Sequence, residues 1–64
     1  MRFKLGDTVR VINSYSGYFD QVGRITEIEK TGLHPRPFGV SGLSAGGTVC
    51  YAPEELILAE KDQP

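Results

Sequence analysis

The chain holds one histidine, His34, and one cysteine, Cys50. Nucleophilic chemistry needs more than a reactive atom. A thiolate requires a base beside it, an oxyanion donor and a cleft to hold the substrate. His34 lies between Leu33 and Pro35, in a stretch that two prolines break, and Cys50 lies in the short apolar run Val49-Cys50-Tyr51. Structural or incidental roles fit both better than a Cys–His pair. The adjacent carboxylates Glu54 and Glu55 follow Pro53, the composition of a helical first turn, where the peptide dipoles favour negative charge. Glu27 and Glu29 are two apart and share one face of a strand, a solvated one. The stretch from Gly42 to Gly47 is rich in glycine but lacks the Lys-Ser/Thr of a phosphate loop and the helix that should follow it. It reads as a flexible hairpin tip. One cysteine allows no intramolecular disulfide, and no Cys/His cluster suggests zinc or an iron–sulfur centre. No catalytic, cofactor-binding or metal-ligating residue is assigned, and the chain is read as a non-enzyme.

The aromatic residues carry the binding signal. Tyr15, Tyr18 and Phe19 crowd into one polar loop, Asn13 to Asp20. Aromatic side chains exposed on such a loop anchor partners, because large flat side chains bury much area at low entropic cost. The competing arrangement has Phe19 turned inward as a lid on the core, with Tyr15 and Tyr18 covering the loop. Arg24 and Arg36 complete the candidate partner-binding set with charge, although solvated surface is the ordinary state of an arginine.

The elements that must position these side chains are short and extended. Phe3-Lys4-Leu5 precedes the turn signal Gly6-Asp7, and Thr8 to Ile12 alternates apolar residues at Val9 and Val11, giving a first strand. Val22 to Lys30 is a second strand. Ile25 and Ile28 are three apart, which breaks the two-residue period, but Gly23, Thr26 and the isoleucines are poor helix formers, so a bulge or bend is expected. Gly23 sits where only a residue without a Cβ is expected to fit. Phe38 and Val40 mark a third strand and Thr48 to Tyr51 a fourth. Ala52 to Leu56 forms a single 3₁₀ turn, and Ile57 to Ala59 a fifth strand. The expected core is Val9, Val11, Ile25, Ile28, Phe38, Val40, Val49, Leu56 and one of Ile57 or Leu58. Five short strands with irregular links and one helical turn indicate an all-β barrel, whose closure would remove exposed edges.

Sixty-four residues make one domain, with 39% apolar side chains for a single core. Residues 1–60 are assigned to it and 61–64 to a frayed tail. Residues 1–53 carry six basic and four acidic side chains, a net +2, while residues 54–64 carry four acidic and one basic, a net −3. Nucleic-acid domains are usually far more basic. No apolar run approaches membrane-spanning length and no signal-peptide core follows Met1. The absence of disulfides favours a reducing compartment, so a cytoplasmic protein, monomeric when isolated, is expected.

The pattern Gly6-Asp7-x-Val9-x-Val11, then Val22-Gly23-x-Ile25-x-x-Ile28, resembles the opening of KOW and related SH3-like barrels, and Tyr51-x-Pro53-x-Glu55-Leu56 resembles their end. Residues 6–32 also resemble the ferredoxin-docking subunit IV of photosystem I. Gly6, Val9-Arg10-Val11-Ile12, Tyr18-Phe19-Asp20-Gln21-Val22-Gly23, Ile25, Ile28 and Glu29 fall in that family's order. The second half departs: Gly39-Val40-Ser41 stands where the family carries a basic Val-Arg-Phe. The variable chain of ferredoxin–thioredoxin reductase and short phage or bacterial proteins look similar too. These resemblances imply a small five-stranded SH3-like barrel with one 3₁₀ turn before the last strand, and a role in binding. The expected function is a non-catalytic module docking a protein partner through the Tyr15–Asp20 loop. The alternatives are a KOW-like nucleic-acid binder, stacking bases on the same aromatics, and a structural subunit of a larger complex.

Overall fold

A computed structural model of the chain describes residues 3–59. The expected tail at 61–64 and the domain boundary at residue 60 lie outside the described residues. Five strands form one antiparallel sheet: β1 (Thr8–Val11), β2 (Val22–Ile28), β3 (Phe38–Ser41), β4 (Val49–Tyr51) and β5 (Leu56–Leu58). A 3₁₀ turn, Pro53–Glu55, separates the last two. The strand order is β4-β3-β2-β1-β5. No helix among the described residues is long and apolar enough to cross a membrane.

The sheet is curled. A flat sheet at the usual spacing of about 4.8 Å would hold its outer strands roughly 19 Å apart. Tyr51 and Leu56, which belong to those outer strands, are joined by a linker that passes through a 3₁₀ turn, and even a fully extended linker of that length reaches only about 17 Å. The bend is supplied in β2. Its register against β3 shifts between Ile25 and Glu27, which leaves Thr26 as an extra residue, the bulge that the spacing of Ile25 and Ile28 anticipates. The curl stops short of closure, for β4 and β5 are not paired with each other. Each is three residues long, and the cap of the intervening turn takes the Leu56 N–H for the Pro53 carbonyl.

One core fills the inside of the curl. Val9, Val11, Ile25, Phe38, Val40 and Leu56 are buried as the alternation demands, and Ile28 and Val49 are partly buried against them. Three further residues complete it. Phe3 packs edge-on against Phe38, with ring centroids 5.2 Å apart and planes at 89°. Leu43 folds in from the glycine-rich connection, and Tyr51 from β4. The last core position expected from the sequence falls to neither Ile57 nor Leu58, which are 46% and 57% exposed. Leu56 already points inward as it leaves the turn, so Ile57 alternates outward. Leu58 lies opposite Val9 but at the end of the sheet, beside Gly6 and Asp7. The 42–47 connection is also more ordered than a flexible tip. Besides the burial of Leu43, the Ser44 N–H donates to Gln21 Oε1 at 2.9 Å and Gln21 Nε2 donates to Ser44 Oγ at 3.1 Å.

Candidate functional site

The loop between β1 and β2 is built by its own polar side chains. The Tyr15 N–H donates to Asn13 Oδ1 at 2.9 Å and the Tyr18 N–H to Ser16 Oγ at 3.0 Å, each a side-chain-closed turn. Ser16 and Phe19 N–H groups donate to the carbonyls of Asn13 and Ser16. The far end is held by Asp20, a non-glycine residue at φ 72°. Such a left-handed residue persists only where its surroundings over-determine it. Here the Asp20 N–H donates to the Val11 carbonyl at 2.8 Å, and Arg10 Nη1 donates to both the Asp20 carbonyl (3.0 Å) and Asp20 Oδ1 (3.2 Å).

Two side chains tie this loop to the rest of the fold. Ser16 Oγ lies 3.0 Å from the Tyr51 hydroxyl. Asn13 Nδ2 donates to Glu55 Oε2 at 2.8 Å. Glu55 Oε1 accepts the Ala52 N–H at 2.7 Å and faces Arg36 Nε at 3.4 Å. The Glu55 side chain is only 12% exposed. One carboxylate therefore joins the β1–β2 loop, the 3₁₀ turn and the β2–β3 loop. Sequence reasoning reads Glu55 as a first-turn charge and misses this role. The signal is the Glu three residues after Ala52, half of a capping box whose other half is absent because alanine has no side-chain acceptor.

Between these elements lies an open cleft of about 360 Å³, with Tyr15, Ser16 and Tyr18 on one wall and Arg36, Cys50 and Tyr51 on the other. Of the expected site residues, Tyr15, Tyr18 and Arg36 meet here. Tyr15 is 96% exposed. Tyr18 is half-buried and packs on the core, so the inward position weighed for Phe19 belongs to Tyr18, and Phe19 is 49% exposed. Arg24 is elsewhere. It lines a separate depression with Thr8, Thr26 and Ser41.

Of the two reactive residues, Cys50 lines the cleft, and His34 lines a neighbouring depression that Cys50 also borders. Cys50 is exposed. His34 Nδ1 accepts the Arg36 N–H at 3.0 Å and so serves as a turn acceptor in the β2–β3 loop. Among the described residues, no group of three or more His, Cys, Asp or Glu could hold a metal ion. The arrangement is an aromatic surface beside an ion pair. No protein-family model matches the sequence, and no curated protein matches it.

Proposed function

We propose that this chain is a non-catalytic binding module built on an SH3-like barrel, which docks a protein partner through the cleft beside the Tyr15–Asp20 loop. The observation that carries the reading is an aromatic side chain, Tyr15, left 96% exposed on a loop that is pinned at both ends. A loop whose backbone is already held in place loses little freedom on binding, so more of the area buried by its aromatic side chain appears as affinity. The Arg36–Glu55 pair sets polar groups at the cleft's rim, where hydrogen bonds fix register around an aromatic anchor. The resemblance of residues 6–32 to the photosystem I docking subunit supports the same kind of role. The test is capture of partners from host extract on immobilised wild type and on Tyr15→Ala. The reading expects a protein retained by the wild type and lost from the variant at unchanged melting temperature. Identical retention by both refutes it.

A further inference from the structure

A second site lies away from the aromatic cleft, around Arg24. On the outer face of the sheet Thr8 pairs with Arg24 and Arg24 with Ser41. Directly paired side chains share a face at Cβ separations of about 5 Å, so the guanidinium stem is flanked by one hydroxyl on each side. The bulge adds a third, since Thr26 Oγ1 lies 2.8 Å from Ser41 Oγ. These groups rim a depression of about 410 Å³. Its floor is bare backbone. Gly42, at φ 92°, stands over Gly23, and a Cβ on Gly42 would meet nothing nearer than the Gly23 Cα at 3.8 Å. Among the described residues Arg24 makes no ion pair, whereas Lys4, Arg10 and Arg36 each have one.

The hydroxyls are connected in a way that favours an anion. Ser41 Oγ also lies 3.1 Å from Thr48 Oγ1. Three hydroxyl protons serve two mutual hydrogen bonds, so one proton remains to be donated outward, and the direction of the chain is free. An anion beside Thr26 selects the order in which Thr48 donates to Ser41, Ser41 to Thr26, and Thr26 to the anion. Each bond then polarises the next. A single planar guanidinium fork and one hydroxyl proton match the charge and shape of a carboxylate. A phosphate monoester, with a charge near −2, would need a second cation that this rim does not hold.

We propose that the Arg24–Thr26–Ser41 depression is a carboxylate-binding subsite, which takes an acidic side chain of a peptide. It stands independently of the aromatic cleft, so Tyr15→Ala leaves it intact. The test is a titration of the isotope-labelled full chain, followed by amide and Arg Nε–H chemical shifts. The probes are a capped triglutamate peptide and, at matched ionic strength, sodium chloride and inorganic phosphate. The proposal expects saturable shifts at Gly23, Arg24, Thr26 and Gly42 with half-saturation at ~10 mM or below. Arg24→Gln abolishes saturation. Arg24→Lys, which keeps the charge and loses the fork, weakens binding severalfold. Thr26→Val weakens it about tenfold, as expected for a hydrogen bond to a charged group. Linear shifts in the wild type, undiminished binding by Thr26→Val or Arg24→Lys, or tighter binding of phosphate than of the peptide each overturn it.

Discussion

Replacing Gly23 by alanine tests the packing that curls the sheet. A Cβ at Gly23 would lie 2.5 Å from the Ser41 carbonyl oxygen, 2.6 Å from Val40 Cγ1 and 3.2 Å from Leu43 Cδ2. The first of these is backbone, in the strand to which β2 is laddered, so relief requires β3 to move by most of an ångström or Arg24–Ser41 pairing to open. Val40 is fully buried within the core cluster. Overpacking of this kind costs about 1–3 kcal/mol. For a domain this small each kcal/mol lowers the melting temperature by about 4–8 °C, so Gly23→Ala should melt roughly 4–24 °C below the wild type. The matched control is Gly17→Ala, where a Cβ meets nothing within 4 Å. That change should be neutral or stabilising by a few tenths of a kcal/mol, through the unfolded chain. Gly39→Ala belongs between them, because its nearest neighbours are side-chain atoms, Thr48 Cγ2 at 2.9 Å and Glu27 Cβ at 3.0 Å. Thermal melts followed by circular dichroism rank the three variants. A Gly23→Ala melting temperature within 2 °C of wild type would refute the close approach of β2 and β3.

The two loop tyrosines should separate in the same assay. Tyr15→Ala changes stability by less than ~0.5 kcal/mol, while Tyr18→Ala, which strips a half-buried ring from the core, costs about 1–2 kcal/mol; equal melting temperatures for the two would contradict their different burial. Glu55→Gln keeps shape but removes the charge that holds Arg36 and accepts two N–H groups. A loss of about 1–2 kcal/mol is expected, and a double-mutant cycle with Asn13→Ala should give a coupling energy of at least 0.5 kcal/mol. Single-stranded DNA or RNA at low salt should leave the resonances around Tyr18 and Arg36 unmoved at millimolar concentration; localised shifts there would favour the nucleic-acid reading over a protein partner.

Much of the fold is legible in the sequence because local rules and tertiary packing agree. Val9 and Val11 alternate and are buried; Ile25 and Ile28 break the alternation, and the bulge falls between them. The misreadings arise where a side chain's fate depends on what packs above it. Leu43 sits among glycines and serines, so nothing local marks it as core, yet it closes over Gly23. Leu58 has the right parity but no roof. At the candidate site, the exposed aromatic loop is visible from composition alone. The split between Tyr15, Tyr18 and Phe19 is not, since it follows from the left-handed turn at Asp20 and from the Ser16–Tyr51 contact. Arg24 and Arg36 look equivalent in the sequence. Their separation onto different surfaces appears only when strand register is known.

The pairing of β1 with β5 has a consequence for the order of folding. Val9 lies against Leu58 and Val11 against Leu56, contacts that close almost the whole chain into a loop. The meander of β1, β2 and β3 needs only nearby segments, whereas this last ladder must wait for distant ones. Small β domains dominated by such contacts fold in milliseconds to seconds. During synthesis at roughly 5–20 residues per second, β1 spends seconds with its outer edge unpaired until Leu56 to Leu58 emerges. A chain that stops before Leu56 keeps that edge exposed and lacks a core side chain that is 2% exposed in the folded protein. Nonsense products and C-terminal truncations should therefore aggregate or be degraded, and the last strand acts as the latch on which the lifetime of the whole fold depends.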